Sequence, residues 1–156
     1  MRNVIAIDYG TKRHGIAACD PLGISVRPLP FVPAEPRSKA LQAILGVISD
    51  RGARLVLVGL PLNMDGSEGP AARSVRGFAA DLKDKLPPGV AIEFWDERLT
   101  TDDAEKTLLE RGLSHRERKQ VIDSISAAIL LKSWLDESAG PAANEDDNAR
   151  RLPPLE

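Results

Sequence analysis

The sequence of 156 residues contains one cysteine and only two histidines. A single cysteine, Cys19, excludes an internal disulfide and any metal site made of several thiolates. His14 and His115 lie far apart in the sequence and form no zinc motif such as HExxH. Any metal chemistry in this protein therefore depends on carboxylate side chains.

Aromatic residues are scarce as well, at 4%, although the hydrophobic content of 42% and the charged content of 28% are those of an ordinary globular protein. No apolar run approaches the roughly 20 residues of a membrane helix, and the N-terminus shows no signal-peptide pattern. The length fits one domain. We therefore expect a single-domain cytoplasmic protein.

The formal net charge of −2 is unevenly distributed along the chain. From Asp136 onward there are six acidic residues and two arginines, so the preceding residues carry a net charge of +2. Such a distribution does not exclude a nucleic-acid partner, and each basic cluster is either solvated surface or a contact to phosphates. The clusters are Lys12 with Arg13, Arg73 with Arg76, and Arg116 with Arg118 and Lys119.

Hydrophobic patterning predicts the element order β-β-β-α-β-α-β-α, with an additional helix before the last one. The predicted strands span residues 3–9, 13–19, 24–32, 54–60 and 90–95. The predicted helices run from Pro36 to about Gly52, from Pro70 through Leu82, over 101–111 and over 117–136. Three hairpin-linked strands followed by βα crossovers predict an α/β domain with a mixed five-stranded sheet, antiparallel and then parallel, and helices on both faces. This domain covers residues 1–136, and the acidic tail of residues 137–156 is expected to be disordered.

Acidic residues stand at positions where apolar residues would be expected. Asp8 ends the first predicted strand, and Asp96 and Glu97 end the fifth. Asp123 lies within VIDSISAAILL, the most apolar part of the last predicted helix. Taken singly, Asp8 is explained as an acceptor in a turn and Asp123 as a helix cap.

Taken together, these acids indicate a catalytic site. The first and fifth strands can deliver their acids to one pocket that the last helix covers. Clustered carboxylates repel one another unless cations neutralise them, and oxygen ligands favour Mg²⁺ or Mn²⁺. Two such ions about 3.5 to 4 Å apart clamp the attacking and leaving oxygens of a phosphoryl displacement. The pattern therefore predicts a nuclease.

Four segments, IAIDYGTKRHGIA, VGLPLNMDGSEGP, DERLTT and DSISAAILLKSWLD, closely resemble in order and spacing the YqgF/RuvX family of Holliday-junction resolvase-like nucleases. The resemblance covers about residues 3–136 and implies an RNase H-like fold. It also implies that Asp8 binds both of two Mg²⁺ or Mn²⁺ ions, that Glu97 completes one site and that Asp123 completes the other. The choice of Glu97 over Asp96 comes from the resemblance, because strand alternation leaves the inward face open.

Six polar residues are candidates for binding nucleic acid. Lys12 and Arg13 follow Asp8 closely enough to contact phosphates that flank the scissile bond. Asn63 belongs to a polar loop expected at the same sheet edge, and Arg98 either braces a carboxylate or binds a phosphate. The remaining two, Arg118 and Lys119, belong to the basic cluster before the last helix.

Several alternatives stay open at this point. DYGTKRHG also resembles the phosphate loop of the actin, Hsp70 and sugar-kinase superfamily, but those proteins need two such domains, which 156 residues do not supply. A second alternative is an RNase H-like module that binds structured nucleic acid without cutting it. For a nuclease, the substrate is either a four-way DNA junction, which predicts a homodimer, or the 5′ end of the precursor of 16S ribosomal RNA, for which a monomer suffices.

Overall fold

A mixed β-sheet forms the centre of the protein in the computed structural model, which describes residues 3–99, 122–138 and 151–152. The strands are β1 (Val4–Asp8), β2 (Arg13–Cys19), β3 (Val26–Pro33), β4 (Leu55–Leu60), β5 (Ala91–Asp96) and the short β6 (Arg151–Leu152). Their order in the sheet is β3-β2-β1-β4-β5-β6. The pairs β1–β2 and β2–β3 are antiparallel, whereas β1–β4 and β4–β5 are parallel, so the predicted mixed sheet of five strands is confirmed.

Helices cover both faces of the sheet, as predicted. They are α1 (Arg37–Arg51), α2 (Pro70–Lys85) and α3 (Ile125–Ser138). The helix α1 ends at Gly52, whose φ of 61° is in the left-handed region that glycine adopts without strain. Within the described residues, no helix is long and apolar enough to cross a membrane.

Alternation along β1 divides the apolar core into two layers. Ile5 and Ile7 pack with buried side chains of α1 and α2, whereas Val4 and Ala6 pack with buried side chains of α3. Asp8 follows Ala6 by two residues and therefore lies on the face that α3 covers. The first strand thus carries its carboxylate to the edge of the layer between the sheet and α3.

The C-terminal segment differs from the predicted disordered tail. The helix α3 continues through Ser138, whose hydroxyl donates to the carbonyl of Trp134 (2.8 Å), so it passes the predicted boundary at residue 136. Residues Arg151–Leu152 form a sixth strand, β6, antiparallel to β5. The strand β6 pairs with backbone groups of β5 that would otherwise be exposed at the edge of the sheet. The amino-acid composition of the tail gives no indication of this pairing. The remaining tail residues, the helix expected at 101–111 and the start of the one expected at 117–136 lie outside the described residues.

The start of the last helical segment is attached to the middle of the sheet. A 3₁₀ turn, Ile122–Ser124, precedes α3 directly. The backbone N–H of Ile16 in β2 donates to the buried Ser124 hydroxyl (3.0 Å), at the point where the β2–β3 register shifts. This bond gives a buried strand N–H a partner where the regular ladder is interrupted.

We predict that Ser124→Ala lowers the free energy of unfolding by about 1–3 kcal/mol, because the buried Ile16 N–H loses its acceptor. Urea denaturation measures the change. Ser49→Ala, at an exposed position of α1, is the control and is expected to be close to neutral. Equal stabilities of the two variants would contradict the structural role of Ser124.

Candidate active site

Two carboxyl groups meet at the carboxyl ends of β1 and β5. Asp8 is the last residue of β1, and Glu97 begins a 3₁₀ turn, Glu97–Leu99, directly after β5. The two carboxyl groups lie within hydrogen-bonding range of each other, and they form a hydrogen bond when one of them is protonated and donates to the other. The structure therefore brings together the acids of the first and fifth strands, as the sequence predicted.

The structure also decides between Asp96 and Glu97. Phe94 packs with α1 and α2, and Trp95 packs with α3, so alternation turns Asp96 away from Asp8. The carboxyl group of Glu97 lies against Gly59 of β4, on the side of the sheet that α3 covers. Glu97 is therefore the acid that reaches Asp8.

The pKa values of this pair reflect burial and mutual repulsion. Burial, followed by the charge and hydrogen bond of Asp8 and the charge of Asp96, raises the pKa of Glu97 to about 7. Burial also raises the pKa of Asp8, although its hydrogen bond with Glu97 acts in the opposite direction. Near neutral pH the pair thus tends to hold a proton between its two carboxyl groups. A cation bound between them would take the place of that proton.

A cavity of about 160 Å³ opens beside the carboxyl pair. Asp8 and Glu97 form one part of its lining, and Ser126, Ile129 and Leu130 of α3 form the rest. Ser126 is exposed, whereas Leu130 is buried, so the cavity has a polar mouth and an apolar wall. The volume suffices for several water molecules or a hydrated cation, because a water molecule occupies about 30 Å³ in the liquid.

Asp123 lies in the 3₁₀ turn before α3 and is exposed. Its carboxylate is 3.9 Å from Nε of Arg13, a contact between two exposed side chains that contributes little to stability. Among the described residues, no three His, Cys, Asp or Glu side chains are grouped closely enough to hold a metal ion. Asp123 precedes Ser126 by three residues, and this spacing puts both on the same side of the helical segment.

Arg98 braces a carboxylate in this structure, which was one of its two predicted roles. Its guanidinium donates to the buried carboxylate of Asp96 (2.7 and 3.0 Å), and its backbone N–H donates to the same group (3.0 Å). Burial raises the pKa of Asp96, but the hydrogen bonds and charge of Arg98 outweigh it and lower the pKa. Arg98 also donates to the carbonyls of Asn63 and Met64 (both 3.2 Å), so it connects β5 to the loop after β4.

The side chain of Asn63 holds its own loop together. Its amide donates to the hydroxyl of Ser67 (2.9 Å), and Asp65 accepts a hydrogen bond from the backbone N–H of Ser67 (2.9 Å). Met64 is 99% exposed at the tip of this loop. The predicted polar loop is thus internally bonded and anchored by Arg98.

The turn after Asp8 presents the basic candidates Lys12 and Arg13 to solvent. Arg13 also lies over the ring of Phe31, 5.3 Å from its centroid. His14 stabilises this turn from inside, because its Nδ1 accepts a hydrogen bond from the backbone N–H of Gly10 (3.2 Å). Burial, with a smaller contribution from the charge of Arg37, lowers the pKa of His14 to about 4, so the ring is neutral at physiological pH.

Sequence reasoning assigned no role to His14, Ser124, Ser126 or Gly59. Gly59 had a recognisable signal, because an isolated glycine inside an apolar strand marks a close approach. Arg118 and Lys119 lie outside the described residues, and their roles stay predictions.

The sheet topology defines an RNase H-like fold. A resolvase from Thermus thermophilus, "RuvC in complex with Holliday junction substrate", matches with a TM-score of 0.58 and 17% identity, covering 97% of this chain and all of the other. A fowlpox virus resolvase matches with a TM-score of 0.51 and 6% identity, covering 88% of this chain and 99% of the other. At identities this low, the structural similarity establishes a shared fold and nothing about activity.

Sequence comparisons identify the family. The RuvX profile, described as "Holliday junction resolvase", matches residues 2–137, and the chain belongs to this family. A Myxococcus xanthus protein named "Putative pre-16S rRNA nuclease" is 42% identical over 137 residues, which cover 88% of this chain and 89% of that protein. A protein of the same name from Pelotomaculum thermopropionicum is 38% identical over 139 residues, again covering 88% and 89%.

We predict that Glu97→Gln stabilises the metal-free protein at alkaline pH. The pKa of Glu97 is about 7 in the folded protein, above its ordinary value of 4.5, so the free energy of unfolding is highest below pH 4.5 and decreases as the pH rises through 7. Glutamine keeps the shape of the protonated acid. At pH 8 we expect a gain of roughly 1–3 kcal/mol, and at pH 5 a much smaller one.

Thermal unfolding in the presence of a chelator measures this pH dependence. Glu35→Gln, at an exposed position before α1, is the control and should show no gain between pH 5 and pH 8. A Glu97→Gln variant that is less stable than the parent protein at pH 8 would refute the proposed repulsion.

Proposed function

We propose that this protein is a divalent-metal-dependent endonuclease that hydrolyses phosphodiester bonds in structured nucleic acid, with the precursor of 16S ribosomal RNA as its substrate. The observation that carries the proposal is the hydrogen-bonded pair of Asp8 and Glu97 beside a cavity under α3. A purely structural pair of buried acids would destabilise the fold without a compensating partner. Membership of the RuvX family supports the same reaction class.

The residues present fit a hard divalent cation. Burial raises the pKa values of both acids, so their ionised forms would gain from a cation, and their oxygen atoms are ligands that suit Mg²⁺ or Mn²⁺. Asp8 and Glu97 would hold the metal, and Asp123 would contribute from the same side of the last helical segment as Ser126. When bound, one or two such ions supply Lewis-acid activation of water and stabilisation of the leaving oxygen.

The side chains around the pair have separate tasks in this proposal. Asp8 and Glu97 would hold the cation in place of the proton that they share, so a higher pH would favour cation binding. Lys12 and Arg13 bind phosphates next to the scissile bond, and Arg13 exchanges its weak contact with Asp123 for a phosphate. Arg98 does not bind the substrate but keeps Asp96 and the Asn63 loop in place.

The relatives favour the ribosomal RNA precursor, because several of them carry that name at about 42% identity over most of the chain. A four-way DNA junction is the second candidate, since the description of the RuvX family names Holliday junctions. A resolvase cuts two strands symmetrically and therefore requires a two-fold dimer. The two substrates can be separated by direct assay.

We predict that the purified protein with Mg²⁺ or Mn²⁺ cleaves a labelled 16S precursor RNA that contains the 5′ leader. Asp8→Asn, Glu97→Gln and Asp123→Asn should each reduce the rate at least about 100-fold, because each removes a metal ligand. Asp50→Asn, at an exposed position of α1, is the matched control and should retain full activity. Mapping of the 5′ end of the product measures the cut.

A labelled four-way DNA junction is assayed in parallel. Symmetric nicks in the junction together with intact RNA would assign the protein as a resolvase and require a dimer in solution. Intact substrates in both assays, with equal binding by the parent protein and Asp8→Asn, would instead support a non-cleaving nucleic-acid-binding module.

We also predict that Lys12→Gln lowers the salt dependence of RNA binding. The slope of log K against log salt concentration should become smaller by about 1, because one phosphate contact is lost. Arg98→Gln should leave this slope unchanged, since Arg98 is bonded within the protein. Titration at several salt concentrations in a chelator, which prevents cleavage, measures both. A smaller slope for Arg98→Gln would assign that residue to the phosphate contacts instead.

A further inference from the structure

Asp8 lies between two glycines in the sheet. Gly15 of β2 is its antiparallel partner. Gly59 of β4 follows Val58, the parallel partner of Ile7, so Gly59 is level with Asp8 on the other side. A row of three neighbouring strands thus carries one carboxylate flanked by two positions without side chains.

Both glycines belong to the face of the sheet that α3 covers. Ala17 and Leu57, each two residues from one of the glycines, are buried in the layer beneath α3. A Cβ atom at either glycine would therefore point toward the same space as the carboxylate of Asp8. The atoms nearest to each of these two Cβ positions show which groups occupy the space that a side chain would fill.

The space above Gly59 is filled by Glu97. A Cβ atom at residue 59 would lie 2.6 Å from Oε1, 2.8 Å from Cγ and 3.1 Å from Cδ of Glu97. Two of these distances are shorter than real carbon contacts, so any other residue at position 59 displaces the carboxyl group of Glu97. Gly59 itself is buried inside β4, where glycine weakens a strand and packs nothing.

The space above Gly15 is filled by backbone. A Cβ atom there would overlap the carbonyl oxygen of Asp123 and lie 3.1 Å from Cα of Ser124. A substitution at Gly15 therefore moves the turn that starts the last helical segment, with consequences for folding. At Gly59 the three nearest atoms all belong to one side chain, which can turn away while the strand remains in place.

We propose that Gly59 is a positioning residue of the active site, whose missing side chain provides the space that holds the Glu97 carboxyl group against Asp8. The role of this placement in metal binding rests on the proposed function. Gly59 touches no substrate, and its effect passes entirely through Glu97. The geometry predicts that one added methyl group at position 59 separates the two carboxyl groups and weakens the site.

The first test is the affinity of the full-length protein for Mn²⁺, measured by isothermal titration calorimetry without nucleic acid. Gly59→Ala is expected to bind Mn²⁺ at least about tenfold more weakly while it unfolds at a temperature close to that of the parent protein. Gly46→Ala and Gly77→Ala are matched controls, because a Cβ built at either exposed helical position meets no described atom within 4 Å apart from its chain neighbours and the nearby backbone of its own helix. An unchanged affinity of folded Gly59→Ala overturns the proposal.

A double-mutant cycle with Glu97→Ala tests the route through Glu97. Alanine removes Cγ, Cδ and Oε1, the three atoms that a Cβ atom at residue 59 would meet. In the parent background Gly59→Ala should weaken Mn²⁺ binding at least about tenfold, and in the Glu97→Ala background it should weaken binding several-fold less. If the fold-changes in Mn²⁺ affinity of the two single variants multiply in the double variant, residue 59 acts independently of Glu97. That result would contradict the proposal.

A metal-free measurement separates this inference from the proposed function. A crystal structure of metal-free Gly59→Ala should show the Glu97 carboxyl group turned away from Asp8, whereas Gly77→Ala should retain the pair. Retention of the Asp8–Glu97 hydrogen bond in Gly59→Ala would overturn the positioning role. A parent protein that binds no Mn²⁺ and cleaves neither nucleic acid would refute the proposed function, and the crystal structure would still decide the role of Gly59.

Discussion

The hydrogen bond between the carboxyl groups of Asp8 and Glu97 requires that two acids leave water and approach each other. Burial raises both pKa values, and the charge of Asp8 raises that of Glu97 further, so the pair tends to hold a proton at neutral pH in the absence of a cation. Such a pair opposes folding and persists only because the surrounding structure imposes it. That unfavourable electrostatic arrangement creates the affinity for a positive charge that the proposed chemistry needs.

The surrounding sheet and helix impose the pair through ordinary packing. Parallel pairing of β1, β4 and β5 brings the carboxyl ends of these strands to one edge. The apolar face of α3 covers the strands beside that edge, and Ser124 attaches the start of the last helical segment to β2. Arg98 holds Asp96 on the opposite side, which leaves Glu97 to face Asp8. The site is therefore a consequence of the core and not an addition to its surface.

Much of the secondary-structure prediction depended on local patterns in the sequence. Strand alternation, the helical spacing of Leu41, Ile44 and Ile48, and a proline at the start of α2 each depend on neighbouring residues, so the order of the first five strands and of α1, α2 and α3 was predicted correctly. The sixth strand was missed, because its two residues carry no strand pattern and gain their partner only from β5. Extension of α3 past residue 136 was missed for a similar reason, since helix ends depend on capping contacts.

By itself, the sequence determined the fold class, the family and the acids Asp8, Glu97 and Asp123 as candidates, because motif order and hydrophobic periodicity are properties of the chain. Only the tertiary structure decided which acids meet. The approach of Glu97 to Asp8 depends on register across β1, β4 and β5 and on the empty space above Gly59, and the bonding of Arg98 depends on where the loop after β4 lies. Distances between residues far apart in sequence are set by packing, which no local pattern contains.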